Sequence, residues 1–187
     1  MTRLVLLIIF FVLPHPTQAA EPDGEEGEIV YLTLGEVLQK AFPEADSVWS
    51  ETWTPDDDQR KRIERRLGWR LKDRSFEIFQ ATRENRHMGY AVVDEEIGLY
   101  RPITFMVKMG PTGQADGVWI MVYRESRGGE VKRQRFLSQY RGKNVDSPIR
   151  LNRDIIGITG ATLSVRALNG GVKKMLAVID VAYSQKP

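Results

Sequence analysis

The 187-residue chain has no cysteine and only two histidines, His15 and His87. Without cysteine there is no disulfide, no thiolate nucleophile, no Cys-ligated zinc or iron–sulfur cluster and no thioether-linked haem. Long apolar runs are also scarce. The run Leu4 to Leu13 has ten residues, well short of the roughly 20 that span a bilayer. It follows the basic start Met1-Thr2-Arg3 and precedes a small-residue ending, Pro14 to Ala20. Residues 1–20 therefore read as a secretory signal peptide, with Thr17 and Ala19 placed for a cut after Ala19. Such a cut removes His15 and leaves His87 alone, so a Ser-His-Asp triad, a multi-His zinc site and bis-His haem ligation lose their basis. An uncleaved leader would give only weak membrane association. The expected location is outside the cytoplasm, in the periplasm or an equivalent compartment.

The remaining composition is that of a single globular domain. Of all residues, 42% are hydrophobic and 28% charged, with 27 Lys+Arg against 25 Asp+Glu, which suits a chain that buries one core. The charge is uneven: from Glu21 to Asp58 there are twelve acids and one base, Lys40. Residues 21–28 read as a flexible acidic tail, and 29–187 as one domain whose first part, about 29–74, is a helical extension.

Thr33 and Glu36 form a capping box ahead of an amphipathic run that Pro43 stops. A second helix is announced by Thr54 as the cap, Pro55 in the first turn and the acids Asp56, Asp57 and Asp58, and is ended by Gly68. First-turn acids serve the helix dipole, so the triplet reads as a helix start rather than a metal site. Arg60, Lys61, Arg62, Arg65 and Arg66, with Arg70, Lys72 and Arg74 beyond, make a basic stripe. Export argues against nucleic acid and favours a solvated face or a docking surface for an acidic partner.

Strand patterns fill the middle of the chain. Ser75 to Ala81 and Met88 to Val93 flank the turn Glu84-Asn85-Arg86, and His87 reads as a solvated loop residue. Ile103 to Met109 and Val118 to Tyr123 form a second pair. In the last strand, simple alternation puts Val118, Ile120 and Val122 on one face and Trp119, Met121 and Tyr123 on the other. Val131 to Tyr140 reads as a helix, Ile149 to Leu151 as a short extended piece, and Ala167 to Ala182 as a terminal helix containing Gly170-Gly171, each glycine unfavourable by roughly 1 kcal/mol relative to alanine. The expected fold class is α+β, an antiparallel sheet packed against a few helices.

One segment is chemically unusual: Asp154-Ile-Ile-Gly157-Ile-Thr159-Gly160-Ala161-Thr162-Leu163-Ser164. Small residues let backbone amides approach a ligand, hydroxyls add hydrogen bonds, and a helix start offers unpaired N–H groups at a positive dipole end. This is an anion site suited to phosphate. It lacks the Gly-Lys-Ser/Thr ending of a nucleotide loop and the three-glycine spacing of a dinucleotide fold. On spacing alone it is equally a hydroxyl-capped helix start, with Thr162 or Ser164 as the cap.

The segment resembles the flavinylation motif of the FMN-binding domain family, in which an acid precedes Ser/Thr-Gly-Ala-Thr and a further hydroxyl follows. That family includes the C subunit of the sodium-translocating NADH:quinone reductase, the G subunit of the Rnf complex and small stand-alone exported proteins. The resemblance extends to Gly117 through Ser126, a strand ending in a Glu-Ser step before Gly128-Gly129, and to Phe136, Gln139, Tyr140, Gly142 and Lys143. It departs where Arg127 replaces the proline usual in the respiratory subunits, and it carries over neither their membrane anchors nor their sodium or quinone coupling.

The resemblance implies FMN attached covalently through a phosphoester to Thr162, at a loop that leads into the C-terminal helix. Thr159, Gly160, Ala161, Leu163 and Ser164 would surround the phosphate, and Glu125 and Ser126 would line the ring or ribityl chain. No residue is assigned to catalysis or to a metal. A flavin transferase using FAD and magnesium is implied for maturation, and redox partner proteins, membrane-bound ones included, for turnover. The implied role is electron transfer outside the cytoplasm. A flavin-dependent reductase of an extracellular acceptor and a non-flavinylated exported binding module are the alternatives.

Overall fold

The computed structural model describes residues 27–183; the leader and most of the acidic tail lie outside them. The elements run β1 (Ile29–Val30), α1 (Leu34–Ala41), β2 (Ser47–Trp53), α2 (Asp57–Leu67), β3 (Phe76–Arg83), β4 (Arg86–Ile97), β5 (Pro102–Met109), β6 (Ala115–Tyr123), α3 (Gln134–Leu137) and α4 (Thr162–Tyr183). The strands form one six-stranded antiparallel sheet in the order β1-β6-β5-β4-β3-β2. β2 to β6 are a meander, and β1 closes the far edge beside β6. The fold is α+β, with α2, α3 and α4 sharing a core on one face and α1 covering the other.

Several local expectations change. The 29–74 stretch supplies both edge strands of the sheet besides its two helices. The cap of α2 is Asp56 rather than Thr54: its carboxylate accepts the Gln59 N–H at 2.8 Å while the Gln59 side chain accepts the Asp56 N–H at 2.9 Å, a capping box built from Asp and Gln. Gly68 ends that helix in the left-handed region, as a C-terminal glycine does. Residues 131–140 are not one helix. Two 3-10 turns, Gly129–Lys132 and Ser138–Tyr140, flank the one-turn α3, because Arg133 is extended. His87 lies in β4 with its ring 4.5 Å from that of Tyr90. Glu28, at the end of the acidic tail, pairs with Arg124 at 2.9 Å.

The correction that matters most concerns β6. Phe105 pairs with Ile120 and Thr104 with Val122, which leaves Met121 as an extra residue. A bulge of this kind shifts the alternation by one. Its carbonyl is used by the residues just after β1, accepting from Tyr31 and Leu32 at 2.8 and 3.2 Å. Beyond it Tyr123 joins Val118 and Ile120 in the core under the three helices, while Val122 turns to the α1 side. Simple alternation puts Tyr123 on the opposite face.

α4 is the longest helix, at 22 residues, and crosses this core. Its two glycines differ. A Cβ at Gly171 would lie 2.2 Å from Phe105 Cζ, whereas one at Gly170 would meet no atom within 4 Å. Close packing on the sheet thus explains Gly171 only. Further along, the ammonium of Lys174 lies 2.9 Å from Glu96, 3.1 Å from Asp94 and 3.2 Å from Asp73. One cation among three carboxylates cannot satisfy all of them. Burial, with Glu96 and Asp73 adding to it against the pull of Lys174, pushes the Asp94 carboxyl up to about 7.

Gly171→Ala is expected to destabilise the fold by about 1–3 kcal/mol through overpacking, and Gly170→Ala to stabilise it by about 0.5–1 kcal/mol through helix propensity; urea unfolding of both checks the contrast. Between about pH 4 and 7 the folded protein holds a proton on Asp94 that the unfolded chain has released. Stability should therefore fall as pH rises from about 4 to 7, and Asp94→Asn should flatten that slope in denaturation midpoints.

Candidate functional site

The site is the loop from 149 to 161 and the first turn of α4. The loop is held by the short helical stretch before it. Gln139 clamps the backbone of Ile156: its Oε1 accepts the Ile156 N–H at 2.7 Å and its Nε2 donates to the Ile156 carbonyl at 3.2 Å. Lys143 donates to Asp154 at 3.0 Å. The stretch is itself tied to β6, since Gly142 donates to the Ala115 carbonyl and Ala115 to the Lys143 carbonyl, both at 2.7 Å. Phe136 packs edge-on against Tyr140, and Tyr140 donates to Asn169 of α4 at 2.7 Å. The motif Phe136, Gln139, Tyr140, Gly142 and Lys143 thus brackets the loop.

Asp154 organises the other side. Its carboxylate accepts the Ile149 N–H at 3.0 Å and the Arg150 N–H at 2.7 Å besides the Lys143 ammonium. Partial burial opposes ionisation, but these N–H groups and the Lys143 charge together hold the carboxyl below its usual range. The same contacts hold Ile149 at φ +44, a conformation that is rare for a β-branched residue and kept where its surroundings impose it. Asp154 is therefore a brace, fully engaged within the loop.

The loop enters α4 through Gly160, at φ +83 with open space where a Cβ would be. The Ala161 carbonyl accepts the first helical bond, from Val165 at 2.9 Å, so Ala161 occupies the cap position and has no side chain to cap with. Neither Thr162 nor Ser164 is the cap. Thr159, Gly160, Thr162 and Leu163 are all exposed, while Ala161 and Ser164 are buried. The first-turn N–H groups have no intrahelical acceptor, and the helix dipole leaves this end positive.

Ser164 is turned away from the loop surface. Its Oγ lies 3.0 Å from the Tyr123 hydroxyl, which donates its own proton to the Arg127 carbonyl at 2.5 Å; Ser164 is therefore the donor. Burial, with the nearby Glu125 and Glu130 charges, raises the Tyr123 pKa against the Ser164 bond, which keeps the phenol protonated. Gly128 sits on this pair: at φ +85, a Cβ there would lie 2.8 Å from the Tyr123 hydroxyl and 2.9 Å from Ser164 Oγ. The strand end, the glycine turn and the first turn of α4 form one packed unit.

Glu125 lies two residues beyond Tyr123 and is used locally. Its Oε1 accepts the backbone N–H groups of Leu99, Tyr100 and Arg101 at 2.5, 2.6 and 2.9 Å. Burial raises its pKa, but those three donors and the Arg101 charge outweigh it and lower the value below the ordinary range. Glu125 closes the β4–β5 turn, and Ser126 stands beside it. The structure thus brings Thr159 to Ser164 together with Tyr123 and Gly128, and places Glu125 at the neighbouring turn of the same sheet end.

Residues 98–177 match the family model described as an FMN-binding domain, a stretch that includes Thr162 and the bracket. Among solved structures the chain is similar to the crystal structure of Shewanella oneidensis NqrC, at 16% identity over 72% of this chain and 68% of that one, with a TM-score of 0.48. No curated protein matches the sequence.

Gly128→Ala must shift both hydroxyls and adopt a positive φ, and is expected to destabilise the protein by about 1–3 kcal/mol. Its amide hydrogen exchange should rise in two segments at once, 123–130 and 158–165. Protection lost in the first alone would show that they are not one unit.

Proposed function

We propose, from the premise that residues 98–177 are an FMN-binding domain, that this chain is an exported flavoprotein carrying FMN as a phosphoester of Thr162 and passing electrons outside the cytoplasm. The observation that supports attachment most is the exposed Thr162 at the first position of α4, behind an alanine that cannot cap the helix. A phosphate there meets the free N–H groups and the positive dipole end, worth roughly 0.3–1 kcal/mol at an exposed site. The residues fit the group: Gly160 leaves open space on the approach, and the bracket keeps the loop in one conformation.

Bound FMN supplies a ring that takes up and returns one or two electrons. The chain's own part is to tether the phosphate and orient the ribityl chain and ring beyond it. Attachment from FAD forms a bond between Thr162 Oγ and the flavin-side phosphorus, breaks the pyrophosphate bond and releases AMP together with the hydroxyl proton. Asp154, the carboxylate of the loop, is engaged by Lys143, Ile149 and Arg150 and is not free to take that proton. The base and the magnesium then belong to a separate flavin transferase, the maturation partner. A covalent tether suits an exported protein, because a flavin lost outside the cytoplasm cannot be replaced. The leader-like residues 1–20 support export, and among the described residues no helix is long and apolar enough to cross a membrane. Redox partners, membrane-bound ones included, complete the pathway.

Coexpression with an active flavin transferase, followed by intact mass measurement, tests the reading. One FMN is expected on the wild-type chain and on Thr159→Val, and none on Thr162→Val. FMN retained by Thr162→Val, or absent from the wild type while the transferase modifies a control substrate, overturns it and leaves the colourless binding module.

A further inference from the structure

The basic residues of α2 have separate uses. Arg60 donates to the Leu71 and Asp73 carbonyls, both at 2.9 Å, and Lys61 faces Asp58 at 3.6 Å. Arg66 reaches α4 and borders a concavity. Two clefts, of about 340 and 590 Å³, lie where the end of α2, the segment 145–153 and α4 converge, and they share Pro148, Arg150 and Lys173 as a common wall. Volumes of this order hold small molecules.

The charge lining both clefts is of one sign. Arg66, Arg150, Arg153, Arg166 and Lys173 stand against a single acid, Asp146. Arg66 is itself met by Asp180 at 2.8 Å and Asp146 at 3.8 Å. Among the described residues no carboxylate pairs with the other four cations. By contrast, Lys108, Arg124, Lys143 and Lys174 each have a carboxylate within 3.0 Å. Like charges gathered around a concave surface repel one another and focus a positive potential there, which an anion relieves.

The cations are also held in place. The Arg150 N–H donates to Asp154 at 2.7 Å, and its carbonyl accepts from Arg153, Asp154 and Ile155, each at 3.2 Å. Ile149 and Asn152, beside it, have φ of +44 and +61, a conformation uncommon outside glycine and concentrated at functional sites such as ligand clamps. Arg150 and Arg153 thus project from a backbone that is already fixed. The Lys173 ammonium stands 5.7 Å from the ring centroid of Trp69. Gly170, which packing does not explain, lines the larger cleft with no atom within 4 Å of where a Cβ would be, so the groove stays open.

We propose that the joined clefts bind an anion carrying two phosphate groups, held by Arg150, Arg153, Arg166 and Lys173. Guanidinium forks match phosphate oxygens in pairs. Each phosphomonoester carries about −1.5 to −2 charges near neutral pH, so two balance the four cations, whereas carboxylates would need four groups in the same small space. Arg166 and Lys173 are seven residues apart on α4, roughly 10 Å along its axis, which suits separate phosphates. The groups can belong to a soluble compound or to a lipid headgroup. The site is independent of the flavin.

The test uses the full chain coexpressed with the flavin transferase, titrated calorimetrically with pyrophosphate at physiological ionic strength and, separately, with phosphatidylcholine vesicles containing phosphatidic acid. Saturable binding to at least one is expected. The double variant Arg150→Gln, Arg153→Gln and the single variant Lys173→Gln should each weaken it tenfold or more, and Gly170→Leu, which fills the larger cleft, several-fold. Arg135→Gln, an exposed cation outside the clefts, should leave it unchanged. Binding of pyrophosphate supports a soluble ligand, and binding of vesicles alone supports a headgroup. No saturable binding to either, or an equal loss in Arg135→Gln, overturns the proposal. So does binding of a polyglutamate peptide with no response to either phosphate source, which would make the groove a seat for an acidic partner protein.

Discussion

The extra residue at Met121 is the constraint on which the site depends. Without it, Tyr123 would face α1. With it, the phenol enters the core beneath α4 and meets Ser164 at 3.0 Å. A bulge loses regular pairing at one residue, and here Tyr31 and Leu32, just after β1, use the freed carbonyl. The gain is a fixed point between the last strand and the first turn of the last helix. That contact sets where α4 begins, and so where Thr162 stands.

Around this point the chain is arranged in opposing layers of polar contact. The Gln139 and Lys143 bracket holds the loop from one side, and Asp154 holds it from within. All of these groups are engaged by protein partners. Thr159, Thr162 and Leu163 are left exposed beside them. Rigidity is thus concentrated behind Thr162.

Much of this is readable in the sequence where the signal is local. The Thr33–Glu36 capping box, the Gly68 terminator and the apolar runs of β3 to β6 each depend on neighbours a few residues apart. β2 escapes such a reading because its inward position, Ser50, is polar and finds Glu77 on the adjacent strand at 2.9 Å; alternation of apolar residues cannot show it. Alternation assigns the wrong faces of β6 beyond Met121 because a bulge is set by register with another strand. Asp154 to Ser164 stands out by composition, but the inward turn of Ser164 depends on a partner 41 residues away. The role of Glu125 is hidden for a related reason: its partners are backbone N–H groups, which carry no residue identity.

The central claim is that one hydroxyl of this loop carries the flavin. Trypsin cutting after Arg153 and Arg166 releases the peptide Asp154 to Arg166, which contains Thr159, Thr162 and Ser164. Fragment-ion sequencing of that peptide from protein matured by a flavin transferase is the most direct measurement. The FMN mass is expected on Thr162 alone, because Thr159 lies outside the helix and Ser164 is buried against Tyr123. FMN on Thr159 or Ser164, or on another peptide, would contradict it.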